Sequence, residues 1–310
     1  MGTRIEAAVA QAGNRAGNKG RKPTARHLAD AAARSCLTQA GFRPGDVDML
    51  INVGIYREDN MGEPALAAMI QEDIGANLGH PPTGGTGTFS FDLLNGACGV
   101  ITAVQIESGL LQSGVIRLGA VVSSDVQPPL DSAADAFLQP VGGALLLRSD
   151  DRLAGFTDFA TETFPEYADL FTSGLVWRER RIHGPGQGAG SHEMTIALSP
   201  GYYDRLADCA EEATRRFLRR LGLGLEDIDL LVPSPAGAGF VDRLRERLGI
   251  PGDRGAYIPE DLEGAYTTGP IAALQSAIKS GRLDEARSAL LLAAGAGITI
   301  ALALYRQAGT

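Results

Sequence analysis

The sequence is sparing with cysteine, tryptophan and histidine, which occur three, one and four times in 310 residues. Cys36, Cys98 and Cys209 are odd in number, widely separated and free of any C-x-x-C spacing, which excludes a disulfide framework and a zinc ribbon. No cofactor and no metal are expected. Positive charge is also scarce, with 28 Lys and Arg against 37 Asp and Glu and a formal net charge of -9. A nucleic-acid or anionic-membrane partner is not expected from that balance, because such partners require a basic surface to displace their counterions. The opening stretch MGTRIEAAVAQAG lacks the charged head and continuous apolar core of a signal peptide, so a reducing cytoplasmic setting is expected.

Long apolar runs are nearly absent. The exception, residues 288 to 305, is interrupted by Ala294-Gly295-Ala296-Gly297. Two buried strands, ALLLAA and ITIALALYR, joined by a glycine-rich bend account for it better than a membrane span of about 20 residues.

What is present is an alternation of amphipathic helices and short apolar strands, the pattern of an α/β protein with a mainly parallel sheet. The pattern occurs twice. The stretch beginning at residue 28 aligns without a gap with that beginning at 209, so that Gly41 meets Gly222, Asp46 meets Asp227 and Asp48 meets Asp229. A second pair, ACGVITAVQIESGLLQSG and GAYTTGPIAALQSAIKSG, places Ser113-Gly114 on Ser280-Gly281 and Cys98 on Ala265. Two duplicated halves are therefore expected, with equivalent positions converging where they meet. The first should span 1–165 and the second 195–310, with 166–194 as a connection. The connection ends in a G-x-G-x-x-A match at Gly184, Gly186 and Ala189, which reads as a surface loop because no buried strand precedes it.

Cys98 stands in FDLLNGACGV, between a strand-like FSFD and an apolar helix. A cysteine at a helix N-terminus meets the positive end of the dipole, which favours thiolate, and its neighbours Gly96, Ala97 and Gly99 permit close approach of a carbonyl. The competing reading is a small residue buried in the core, and that reading fits Cys36 and Cys209, which lie on amphipathic helices.

The stretch FDLLNGACGVITAVQIESGLLQSGVIRLGAVVSSD resembles the nucleophile region of ketoacyl-ACP synthase III enzymes of the thiolase superfamily. The likeness continues through FLQPVGGALLL, LEDIDLLVPSPAGAGFVDRLRERLGIP and GAGITIALALYR. It implies a thiolase-like duplicated α/β fold whose two pseudo-symmetric halves form five layers, αβαβα. It also implies that Cys98 is acylated by an acyl carrier protein or coenzyme A thioester, with the oxyanion held by the backbone N–H groups of Cys98 and Ala296. A dimer is implied as well, either of identical chains or with a complete condensing enzyme.

The chain departs from the family where decarboxylation is carried out. Ser234 stands in VPSPAGAG where the family carries histidine, and Ala265 in EGAYTTGP where it carries asparagine. Neither supplies the lost chemistry, since alanine has no polar atom and serine is far too weak a base. Thr267 and Thr268 are candidate contacts for a polar acceptor group. His27, His80, His183 and His192 fall at no family catalytic position and read as solvated or capping residues. The family's tryptophan-bearing N-terminal stretch is missing, the single tryptophan being Trp177, and its carrier-docking arginine falls at Gly239. Arg243, Arg245, Arg247 and the RRFLRR stretch, 215 to 220, form either a replacement patch or the solvated faces of two helices. Acyl transfer without decarboxylative condensation is the function this pattern implies. The alternatives are a non-catalytic partner subunit and a ketoacyl synthase with an atypical site.

Overall fold

The computed structural model describes residues 2–13, 23–55, 63–79, 87–126, 139–150, 154–180, 189–237 and 239–307. Its first half contains β1 (Gly2–Ala12), α1 (Ala25–Ala40), β2 (Met49–Asn52), α2 (Leu66–Ile74), β3 (Phe89–Asp92), α3 (Gly99–Gln112), β4 (Leu118–Asp125) and β5 (Val141–Asp150). The second half contains β6 (Gly155–Thr163), a hairpin of β7 (Phe171–Arg180) and β8 (Ala189–Leu198), α4 (Tyr202–Arg220), β9 (Leu230–Pro233) and α5 (Phe240–Leu248). It ends with α6 (Gly269–Lys279), α7 (Arg282–Glu285), β10 (Ser288–Gly295) and β11 (Thr299–Arg306).

The duplication seen in the sequence is a duplication of topology. The first half orders its strands β3-β2-β4-β5-β1, and the second orders them β9-β10-β11-β6, with Gly255 bridging β9 in the place of the missing edge strand. In both, the early pairings are parallel and the last two antiparallel. Even side-chain anchors repeat. Asp48 accepts the backbone N–H of Arg117 at 2.7 Å and its guanidinium at 3.2 Å, and Asp229 does the same for Arg287 at 3.0 and 3.2 Å.

Strand alternation sorts the apolar side chains into layers. Leu50, Ala120, Val122, Ala144 and Leu146 face α1 and α2, whereas Ile51, Val121 and Leu145 face inward. In the second half Leu290, Leu292, Leu302 and Leu304 pack under α4 and α5, whereas Leu291, Ala293, Ala301 and Ala303 face inward. Both inward faces meet on α3 and α6, giving the expected αβαβα order. Sheets covered on both faces need apolar residues at every position, and this is why residues 288 to 305 form one nearly unbroken run. That run is the β10–β11 hairpin, and among the described residues no helix is long and apolar enough to cross a membrane.

The expected boundaries need correction. Strand β6 falls inside the expected first half, 1–165, yet it pairs along its length with β11 and only at Thr3–Phe156 with β1. The halves therefore divide between β5 and β6. The expected connection 166–194 holds β7 and most of β8, and a boundary at 195 cuts through that hairpin. Periodicity could not locate this point, because the strand that assigns β6 to the second half, β11, lies far along the chain.

Candidate functional site

The site lies where the N-termini of the two central helices approach the β10–β11 bend. Upstream of α3 the chain turns through a 3-10 segment, Gly96–Cys98, and Gly96 takes the left-handed conformation with φ 51°. Cys98 is the N-cap of α3 and is fully buried. Its Sγ faces the carbonyl oxygens of Thr299 at 3.3 Å and Ala293 at 3.6 Å, and the nearby backbone N–H groups of Ala301 and Gly295 favour its charged form. A Cβ on Gly295 would lie 3.4 Å from the sulfur, so the strand backbone itself is the wall on that side.

This setting corrects the expected electrostatics. Burial pushes the Cys98 thiol up to about 12, outweighing the two amide donors. In this state the thiolate fraction at neutral pH is on the order of 10⁻⁵. A helix dipole stabilises a charge by at most about 2 kcal/mol, and the loss of water around the sulfur is the larger effect here.

One of the expected oxyanion donors is already engaged. The N–H of Cys98 donates to Asn95 O at 3.0 Å inside the 3-10 turn and is committed there. The Tyr266 hydroxyl packs beside this turn, 3.2 Å from where a Cβ on Gly96 would stand.

Ser234 and Ala265 lie on the second half, near the head of α6. Both are buried. Ser234 Oγ has no hydrogen-bond partner, and the Ser234 side chain lies against Gly269 at the head of α6. Ala265 shares the central apolar layer with Cys98. Neither position offers an imidazole or carboxamide.

Thr267 and Thr268 do not face an acceptor. Both are fully buried; Thr267 Oγ1 donates to Asp125 at 2.6 Å, and Thr268 Oγ1 accepts from Ser123 Oγ at 3.0 Å. Asp125 also accepts the backbone N–H groups of Tyr266, Thr267 and Thr268 at 2.9, 3.0 and 2.9 Å. Burial pushes its carboxyl up while these donors pull it down. The two threonines are thus part of a clamp that joins the end of β4 to the head of α6. Sequence inspection missed Asp125 and Tyr266. The available signal for the first was a lone acid ending the apolar strand LGAVVSSD, opposite a helix whose N-cap residue, Thr268, makes no side-chain capping bond of its own.

A cavity of about 1070 Å³ opens beside the site, lined by Gly13, Gln139, Pro235, Gly237, Ile258 and Gly264 among others. Pro235 and Gly264 adjoin Ser234 and Ala265, whereas Cys98 is not part of the lining. The helical arginines are paired, Arg243 with Asp204 at 3.1 Å, Arg247 with Asp208 at 2.7 Å and Arg215 with Glu211 at 2.9 Å, which fits solvated helix faces. Cys36 and Cys209 are buried core residues. His27 is exposed in the first turn of α1, where its N–H donates to Thr24 Oγ1 at 3.1 Å. Gly184 and Gly186 of the glycine-rich loop, with His80 and His183, lie outside the described residues.

Duplicated topology, five layers and a cysteine heading a central helix define a thiolase-like protein. Residues 218–307 match the model of the 3-oxoacyl-[acyl-carrier-protein] synthase III C-terminal family. The β-ketoacyl-[acyl-carrier-protein] synthase III of Alkalilimnicola ehrlichii is 28% identical over 293 residues, covering 90% of this chain and 83% of that one. The crystal structure of 3-oxoacyl-[acyl-carrier-protein] synthase III from Aquifex aeolicus superposes with a TM-score of 0.77 at 18% identity, covering 98% of this chain and all of that one (100%). The priming β-ketosynthase of the R1128 polyketide pathway gives 0.75 at 19% identity, covering 100% and 97%. The chain is thus similar to ketoacyl-ACP synthase III proteins over about nine-tenths of its length and shares their fold.

Proposed function

We propose that the protein is an acyltransferase of the ketoacyl synthase III type, taking an acyl group onto Cys98 from an acyl carrier protein or coenzyme A thioester. The sulfur attacks the thioester carbonyl carbon, forming the new C–S bond and a tetrahedral oxyanion held by backbone amides. Collapse breaks the donor's C–S bond, and the donor thiolate leaves with the proton that Cys98 gives up. An amine, thiol or hydroxyl acceptor then attacks the acyl-enzyme and restores the Cys98 thiol.

The observation that supports this reading is the combination of Cys98 heading the buried helix α3, its sulfur against the β10–β11 hairpin, with no enolate-stabilising side chain at Ser234 or Ala265. Without such a group, loss of carbon dioxide from a malonyl thioester has no help. The protein acts as a cytoplasmic dimer on this reading, and acyl-donor thioesters are its partners.

Intact-mass measurement after incubation with a panel of acyl thioesters tests the proposal. A stable adduct is expected on the wild type and not on Cys98→Ala. Release of carbon dioxide from malonyl thioesters would contradict the absence of condensation chemistry. The full burial of Cys98 favours a second reading, a non-catalytic subunit paired with a complete condensing enzyme. On that reading no thioester labels the chain, alone or with its partner.

A further inference from the structure

Helix α5 carries three arginines, and one of them has a setting unlike the others. Arg243 is bound to Asp204 at 3.1 Å and Arg247 to Asp208 at 2.7 Å, both carboxylates of α4. Arg245 instead lines the cavity of about 1070 Å³. Its side chain lies along Gly252 and Gly255, where a Cβ would come within 2.7 Å of Nη2 and 3.1 Å of Cδ, so the two glycines leave room for it. Its Nε has no hydrogen-bond partner, and among the described residues its ion pair is a loose contact of 3.6 Å with the exposed Asp242. A guanidinium nitrogen enclosed without a partner is costly, and a ligand oxygen on the fork would offset that cost.

The other charged residues of the lining are Asp242, Glu260, Asp261 and Glu263, all exposed. One guanidinium among four carboxylates suits a single negative charge held at Arg245 with a positive group beside it, and disfavours a phosphate dianion or an acidic protein surface. Ile258, Val241 and Pro235 add apolar wall for a hydrocarbon side chain.

We propose that this cavity is a binding site for an α-amino acid with an apolar side chain, its carboxylate taken by the Arg245 guanidinium and its ammonium set against the acidic rim. That the amino acid is the acyl acceptor rests on the acyltransferase reading; the binding site itself does not. As acceptor, its ammonium first gives a proton to water. The nitrogen then forms a C–N bond with the acyl carbon while the Cys98 C–S bond breaks, and a second proton from nitrogen restores the thiol.

Isothermal titration calorimetry on the full-length protein tests the site with four probes. They are L-leucine, 4-methylpentanoate without the amine, 3-methylbutylamine without the carboxylate, and O-phosphoethanolamine as the phosphate source. Leucine is expected to bind about tenfold more tightly than each of the other three. Arg245→Gln should weaken leucine about tenfold or more, the scale of a lost charge-assisted hydrogen bond, and Arg245→Lys by less, because it keeps the charge without the fork. Arg215→Gln, on α4 and bound to Glu211, should leave the affinity unchanged. Because Arg245 also packs on the turn at Gly252 and Gly255, a second variant keeps it in place. Glu260→Gln with Asp261→Asn should narrow the preference for leucine over 4-methylpentanoate by about threefold. Four results would each overturn the site: no heat with leucine, equal affinity for leucine and 4-methylpentanoate, tighter binding of O-phosphoethanolamine, or wild-type affinity in Arg245→Gln. Leucine bound through Arg245 on a chain whose Cys98 no thioester labels leaves the site standing and fails the acyltransferase reading. Acyl transfer to leucine that is unaffected by Arg245→Gln does the reverse.

Discussion

The carboxylate of Asp125, closing β4 of the first half, holds Thr267 of the second by its amide at 3.0 Å and its hydroxyl at 2.6 Å. With the amides of Tyr266 and Thr268 this makes four bonds from one buried group across the pseudo-symmetric halves. Asp125→Ala leaves those donors unsatisfied in a dry site, and a loss of about 3 kcal/mol or more is expected in urea unfolding. Asp125→Asn keeps one acceptor oxygen and should fall between the two. A loss below about 0.5 kcal/mol for the alanine variant would show the clamp to be dispensable.

Cys98 gives a pH signature. With its thiol pushed up to about 12, labelling by iodoacetamide in the wild type should climb about tenfold per pH unit from pH 7 to 10. A plateau below pH 9 would show that a thiolate already exists in the resting protein.

Gly142 on β5 is where α1 approaches the sheet most closely. A Cβ there would stand 2.1 Å from the Leu28 carbonyl oxygen, a backbone atom that can move only with its helix. Gly142→Ala is expected to destabilise by about 1–3 kcal/mol, the cost of overpacking. Gly114→Ala makes a useful comparison, because its Cβ meets nothing within 4 Å and only its φ of 73° opposes the change. A Gly142→Ala chain as stable as the wild type would show that α1 is free to shift.

Asp30 on α1 titrates in an unusual range. Burial, aided by the neighbouring Asp73 carboxylate, pushes it up to about 8, and one of its oxygens has no hydrogen-bond partner. The folded protein then holds this proton more tightly than the unfolded chain, whose value is about 3.9. Its stabilising effect is complete below about pH 4 and is lost as the pH rises through 8. Asp30→Asn cannot titrate, so its urea midpoint should gain on the wild type between pH 5 and 8.5. Parallel pH profiles for the two proteins would rule this account out.

The repeat was legible because it is local. Asp48 and Asp229 align in sequence, and in the structure each anchors the arginine that opens a strand, Arg117 and Arg287. The position of Cys98 ahead of a buried helix was legible for the same reason. Its burial and its neighbour across the turn were not, because Tyr266 reaches Gly96 across some 170 residues of chain, and no periodicity encodes that meeting. Thr267 and Thr268 were misjudged on the same ground, since their hydroxyl partners, Asp125 and Ser123, come from the other half. The division between halves was misplaced because β5 and β6 differ only in where their partners lie.

Among the described residues the two sheets share a single rung, Thr3 with Phe156. Sheets resist sliding because each added rung locks their register, and one rung locks little. The offset between the halves is therefore set by the Asp125 clamp and by side-chain packing along α3 and α6, in the layer that holds Cys98. Adding or removing a methyl group along that seam changes how tightly the sulfur is enclosed, without rewriting a strand.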